Sequence, residues 1–243
     1  MKVFGLIGRS LEHSFSKDYF NNKFKIGGLD AIYENFEFEK IEEIRPFFEG
    51  RGDVVGLNVT IPYKEEIIPY LDEIEESAKE IGAVNTILIQ NNKWKGFNTD
   101  QYGFMTSLKP FLTNMHERAL ILGDGGASRA IRYALSKRSI PCHVVSRENG
   151  KADLTYDELN NYVFEACKLI INTTPLGMYP NLDSFPVIPF EFIGKEHLVY
   201  DLVYNPEKTQ FLTKAEERGA SIMNGLDMLK LQAEMAWEIW NTH

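Results

Sequence analysis

Short apolar runs alternate with amphipathic stretches along almost the whole chain, the pattern of βα units packed on largely parallel sheets. Residues 3–7 read as a strand, 16–25 as a helix halted at Gly27-Gly28, 31–38 as an alternating strand, and 41–48 as a second helix before Gly50. A third strand over 54–59 runs into Pro62, whose fixed φ and missing N–H suit a helix's first turn, and so puts Lys64 near a helix start at the sheet's edge. Residues 87–89 and 94–97 predict a hairpin about Asn91-Asn92. The helix over 100–112 ends in polar sequence at Thr113-Asn114, which reads as the connection between two domains. A second series follows, with strands over 118–122, 141–145, 169–172, 198–200 and 221–223 and a helix over 127–139. The last helix, 225–240, sets Leu226, Leu229, Ala233, Ala236, Trp237 and Trp240 on one face by three-and-four spacing.

Composition narrows the function. With 243 residues, 44% hydrophobic and 25% charged, the chain has the make-up of a folded protein with one large core or two modest ones. A formal net charge of -9 leaves no broad cationic field, so no nucleic-acid partner is expected. No apolar stretch approaches the roughly 18 residues of a membrane span, and the N-terminal one is too short for a secretory leader; the expectation is a cytoplasmic protein without a membrane partner. Cys142 and Cys167 lack CxxC spacing and read as reduced, packed thiols. His13, His116, His143, His197 and His243 form no H-x-x-x-H pair, and no metal is expected.

The first candidate chemistry lies at Gly123-Asp124-Gly125-Gly126-Ala127-Ser128, between a strand and a helix. Glycines there permit a tight turn and a close backbone approach to a pyrophosphate, which the helix's first N–H groups hold. The strict G-x-G-x-x-G pattern wants glycine where Ser128 stands, and Asp124 is expected to face solvent, since a carboxylate in the turn opposes phosphate. At the end of the next strand an NAD site presents an acid to the ribose and an NADP site a cation. Ser146-Arg147 arrives there, Ser146 as a hydrogen-bond donor and Arg147 as a partner for a 2′-phosphate, which favours NADP; Glu148 beside them is able to serve a ribose or repel the phosphate.

Polar residues also gather at strand ends in the first half, in His13-Ser14-Phe15-Ser16-Lys17, Asn58-Val59-Thr60-Ile61-Pro62-Tyr63-Lys64, Asn85-Thr86 and Asn98-Thr99-Asp100. Together with the glycine turn, Asn172-Thr173-Thr174-Pro175-Leu176-Gly177-Met178, Tyr200-Asp201-Leu202-Val203-Tyr204-Asn205-Pro206 and Asn224-Gly225-Leu226-Asp227-Met228, they resemble the shikimate dehydrogenase family in order and over nearly the whole chain. The resemblance implies an α/β fold with an N-terminal substrate-binding domain (1–100, completed by a C-terminal helix over 226–243) and a C-terminal Rossmann-like NADP-binding domain (101–225). It implies reversible reduction of 3-dehydroshikimate to shikimate in aromatic amino acid biosynthesis, by a monomer or homodimer.

On that resemblance Ser14 and Ser16 address the substrate carboxylate, and Asn58, Thr60, Asn85 and Gln232 its ring hydroxyls. Lys64 and Asp100 are the catalytic pair, Thr173 and Met178 lie near the dinucleotide, and Tyr204, Met223 and Gly225 lie by the nicotinamide or substrate. A carbonyl that takes hydride on carbon must take a proton on oxygen, so the reaction itself calls for such a pair. By spacing alone Lys64 also reads as a solvated lysine, Asp100 as an N-cap, and Gln232 as a solvated residue on a helix's polar side. The chain departs from the family's pattern in lacking both prolines of the G-x-P-x-x-H-S-x-S-P opening, in Asp124, and in Ser146-Arg147-Glu148 where N-R-T is commoner. An NAD-dependent quinate/shikimate dehydrogenase and a non-catalytic regulatory paralogue are the alternatives.

Overall fold

The computed structural model describes residues 1–11 and 14–241; His13 and His243, noted above, lie outside the described residues. Two compact units divide the chain, Met1–Thr99 with Ala233–His243, and Asp100–Gln232. The segment at Thr113-Asn114 therefore lies within the second unit, because the helix ahead of it already packs there.

The first unit contains β1 (Lys2–Gly8), α1 (Phe15–Gly27), β2 (Ala31–Glu37), α2 (Ile44–Phe48), β3 (Val54–Val59), α3 (Tyr63–Glu66), β4 (Glu73–Ile74), α4 (Glu76–Ile81), β5 (Thr86–Gln90) and β6 (Lys93–Phe97), in the sheet order β2-β1-β3-β5-β6-β4. β1 pairs in parallel with both β2 and β3, so the winding reverses between β1 and β3. Open α/β sheets receive ligands at the carboxyl ends of strands at such a point. β5 runs antiparallel to β3, and β6 antiparallel to β5, through a turn in which Asn91 and Asn92 take φ of 50° and 60°. The start of β5 and the end of β6 thus reach the same edge as the ends of β1 and β3. Alternation along β1 sends Phe4 and Leu6 to a cluster with Phe20, Phe24, Tyr33 and Trp240, and Val3 and Ile7 to one with Ile44, Phe48 and Trp94.

The second unit begins with α5 (Asp100–Leu108) and continues through β7 (Ala119–Leu122), α6 (Gly126–Ser136), β8 (Cys142–Ser146), β9 (Leu154–Thr155), α7 (Asn161–Ala166), β10 (Leu169–Asn172), β11 (Leu198–Asp201), α8 (Gln210–Glu217), β12 (Ser221–Asn224) and the first turns of α9 (Leu226–Asn241). Its sheet, β12-β11-β10-β7-β8-β9, is parallel at every pairing, and its winding reverses between β7 and β10. β7, β10 and β11 are buried along their whole length and, apart from Asn172 and Asp201 at their carboxyl ends, apolar: Ala119 and Ile121 join the cluster of Phe104, Ile131 and Leu135, while Leu120 and Leu122 join that of Phe164, Phe211 and Leu212.

Candidate functional site

At the carboxyl edge of the first sheet the predicted polar residues form one buried network. Asn58, next to last in β3, pairs in register with Leu6 on one side and Thr86 on the other. Its amide is buried, which is costly unless satisfied. Tyr33 Oη donates to Asn58 Oδ1 at 2.8 Å, while Asn58 Nδ2 donates to Asn85 O at 3.2 Å and Thr86 Oγ1 at 3.1 Å. Asn85 continues the chain: its Oδ1 accepts from Thr99 N at 2.7 Å and its Nδ2 donates to Thr99 Oγ1 at 3.0 Å. Ser16, in the first turn of α1, hydrogen-bonds the Tyr33 phenol, whose complete burial keeps it protonated far above the usual tyrosine range. Ser16, Asn58 and Asn85 are therefore held by Tyr33, Thr86 and Thr99. Tyr33 carried no signal in the sequence, where an aromatic on an alternating strand reads as core.

Other predicted residues of this unit have local duties. Ser14 caps α1, accepting from Lys17 N at 3.2 Å. Thr60 N donates to Ile7 O at 2.9 Å, and a Cβ on Gly8 would lie 2.8 Å from Thr60 Cγ2, so the two strand ends approach because Gly8 is bare. Lys64 is half-buried in α3, and its carbonyl accepts from Val84 N at 2.7 Å, which ties α3 to the Asn85 segment.

Asp100 is the first residue of α5 in the second unit and is buried. Gln232, expected on the polar side of its helix, is instead 7% exposed. The reason is close helix packing: a Cβ on Gly103 of α5 would lie 2.5 Å from Met228 O and 3.0 Å from Gln232 Cβ.

The glycine turn follows β7. Gly123 takes φ +105, and a Cβ there would lie 2.9 Å from Thr173 Oγ1 and 3.0 Å from Thr174 Cγ2, so both sides of the winding reversal meet at this residue. Thr173 Oγ1 donates to Leu122 O at 2.8 Å. Gly125 is the N-cap of α6, with open space where a Cβ would stand; no side chain caps the helix, and no acid occupies its first turn. Gly126 and Ala127 open α6. These features fit a dinucleotide pyrophosphate: a bare cradle beside N–H groups that lack a side-chain acceptor.

The loop after β10 is anchored from below by Asp201, which is fully buried. It accepts from Asn172 Nδ2 at 2.9 Å, Val203 N at 3.1 Å and Thr209 Oγ1 at 2.6 Å, and burial still pushes its carboxyl up to about 6. Asn172 Oδ1 in turn accepts from Thr174 Oγ1 at 2.7 Å.

Around the expected ribose position, Ser146 Oγ donates to Asp124 Oδ2 at 3.1 Å and accepts from Glu148 N at 3.2 Å. Asp124 is exposed, as expected, but it also engages Ser146. Arg147 is exposed. A cavity of about 580 Å³ beside the turn is lined by Asp124, Ser128, Arg129, Arg132 and Lys151 among others. Ser128 is almost wholly buried there with its Oγ unpartnered. The three cations were missed from sequence, although Arg129 and Arg132 at i,i+3 on a helix following a glycine turn were a usable signal. Elsewhere Met178 is 47% exposed, Met223 packs against the α5–α6 cluster, and burial raises the half-buried Tyr204 phenol. Gly225 has no room for a side chain, since a Cβ would lie 2.0 Å from Leu202 O.

The family model of the shikimate dehydrogenase substrate binding domain matches residues 6–87. Over 251 residues the chain is 40% identical to the shikimate dehydrogenase (NADP(+)) of Aquifex aeolicus, covering 99% of this chain and 91% of that protein. The chain belongs to the shikimate dehydrogenase family. A crystal structure of shikimate 5-dehydrogenase from Thermus thermophilus in complex with NADP(H) and shikimate superposes with a TM-score of 0.88 at 31% identity, covering 100% of this chain and 94% of that one. Quinate dehydrogenase from Corynebacterium glutamicum in complex with NAD superposes with a TM-score of 0.89 at 25% identity, covering 100% and 94%.

Proposed function

We propose that this family member is an NADP-dependent shikimate dehydrogenase that interconverts 3-dehydroshikimate and shikimate. The observation that carries the reading is the buried network of Ser16, Tyr33, Asn58, Thr86, Asn85 and Thr99 at the winding reversal of the first sheet. A purely structural strand end has no need of so many buried hydroxyl and amide groups, whereas a ring bearing several hydroxyls needs matched donors and acceptors. The bare glycine turn in the second unit supports the dinucleotide half of the reading.

The nicotinamide, when bound, supplies or takes the hydride. In reduction the carbonyl carbon receives the hydride and the carbonyl oxygen receives a proton; Lys64 Nζ delivers that proton and recovers it in oxidation. Asp100, the second member of the proposed catalytic pair, accepts from a substrate hydroxyl. Ser14 and Ser16 donate to the carboxylate, Asn58, Thr60, Asn85 and Gln232 hold ring hydroxyls, and Tyr204, Met223 and Gly225 border the reacting carbon. Gly123, Gly125, Gly126, Ala127 and Ser128 cradle the pyrophosphate, with Thr173 and Met178 along the dinucleotide and Ser146 and Arg147 at its ribose end. The described helices include none long and apolar enough to cross a membrane. The test is an absorbance assay of the purified protein. Loss of NADPH that depends on 3-dehydroshikimate is expected, and its absence with a folded protein would overturn the reading.

A further inference from the structure

At the ribose end of the dinucleotide site, Ser146 is not available as a phosphate donor. Its hydroxyl has one proton, which goes to Asp124 Oδ2 at 3.1 Å, while its oxygen accepts from Glu148 N at 3.2 Å. Lys151, which lines the same cavity, meets Glu148 Oε2 at 2.6 Å in an exposed ion pair. A 2′-phosphate at this position must turn Ser146 away and stand beside the Asp124 carboxylate. A 2′-hydroxyl instead donates directly to that carboxylate. In dinucleotide folds the acid that accepts from the ribose is ordinarily placed at the end of the second strand; here the glycine turn supplies it from the opposite side, and Ser146 fixes its orientation.

We propose that Asp124 is a cofactor-selecting residue whose carboxylate accepts from the ribose 2′-hydroxyl, so that the chain uses NAD(H) as well as NADP(H). This rests on the dehydrogenase reading above. Arg147, exposed at the same end, keeps NADP(H) binding in place, and the two dinucleotides compete on similar terms. Asp124 is exposed, so its substitution leaves the packing of the unit intact.

Titration calorimetry with NAD+ and NADP+, without substrate, tests this independently of turnover. For the unmodified chain the two dissociation constants should lie within about tenfold of each other. Asp124→Ala should weaken NAD+ about tenfold, the worth of one charge-assisted hydrogen bond, and tighten NADP+ several-fold. Asp124→Asn keeps an oxygen acceptor without the charge; it should tighten NADP+ similarly while leaving NAD+ within about threefold. Turnover with each dinucleotide should follow the same ratios. NAD+ binding more than about a hundredfold weaker than NADP+ in the unmodified chain would overturn the proposal, as would an Asp124→Ala variant that shifts both cofactors together or neither. Failure of both dinucleotides to bind would instead remove the dehydrogenase reading and this proposal with it.

Discussion

Replacing Gly56 by alanine should destabilise the first unit by about 3 kcal/mol, through one tryptophan. A Cβ at Gly56 would lie 2.4 Å from Trp240 Nε1, 2.5 Å from Cδ1 and 2.6 Å from Cε2. The indole has nowhere to go: Phe4 and Phe20 stand 5.0 Å and 5.4 Å away by ring centroids, and Nε1 donates to Ile87 O at 3.0 Å. Overpacking of this kind costs about 1–3 kcal/mol. Losing the buried hydrogen bond adds about 1–3 kcal/mol, and the lower backbone entropy of alanine returns roughly 0.5–1 kcal/mol. Trp94, Trp237 and Trp240, the 3 tryptophans of the chain, all belong to the first unit, so intrinsic emission follows its unfolding. The thermal midpoint by emission should fall by roughly 10 °C. Combining Gly56→Ala with Trp240→Phe should recover about 2 kcal/mol relative to additivity, because phenylalanine removes the ring edge that clashes. A Gly56→Ala cost below about 0.5 kcal/mol, or strict additivity in the double variant, would refute the packing of α9 on the first sheet.

Gly123→Ala should weaken dinucleotide binding by at least about tenfold in calorimetry while far-ultraviolet circular dichroism stays unchanged, since φ +105 and the Thr173 contact both exclude a side chain. Tyr33→Phe should raise the KM for shikimate several-fold and cost about 1 kcal/mol in chemical denaturation, because Asn58 Oδ1 loses its phenolic donor. The buried carboxyl of Asp201 holds its proton more tightly in the folded chain than in the unfolded one, with a pKa of about 6 against 3.8. Its stabilising contribution is therefore complete below pH 4 and is lost as pH rises through about 6, a change of about 3 kcal/mol. Urea midpoints across that range should show this component, and Asp201→Asn should abolish it; a slope that persists in the variant would reject Asp201 as its source.

Much of this architecture is readable in the residues because period and punctuation agree there. The strands Val54–Val59 and Leu169–Asn172 coincide with apolar runs bounded by turn residues, and the Asn91-Asn92 pair marks its hairpin through left-handed conformations that asparagine tolerates. The two-residue strands Glu73–Ile74 and Leu154–Thr155 and the short helices Glu76–Ile81 and Asn161–Ala166 escape because none is long enough to establish a period. Gln232 illustrates a different limit: one helix's periodicity says which face is apolar, but only the bare backbone of Gly103 on another helix decides that this glutamine is covered. The polar residues that gather at the carboxyl edge of the first sheet are legible in the sequence because they cluster at strand ends. The groups that hold them, Tyr33 and Asp201, were silent, since their partners lie 25 residues along the chain for Asn58 and 29 for Asn172. Asp124 was rightly placed in solvent, yet its bond to Ser146, 22 residues on, depended on register between β7 and β8.

Lys64 bears the central claim, that one ammonium exchanges the proton that accompanies hydride transfer. Single-turnover reduction of 3-dehydroshikimate by the NADPH-loaded Lys64→Ala variant, set beside calorimetric binding of shikimate, tests it most directly. The account predicts a rate about a thousandfold lower with a shikimate dissociation constant changed by less than about fivefold. A rate close to that of the unmodified chain, or a loss traceable wholly to weaker shikimate binding, would contradict it.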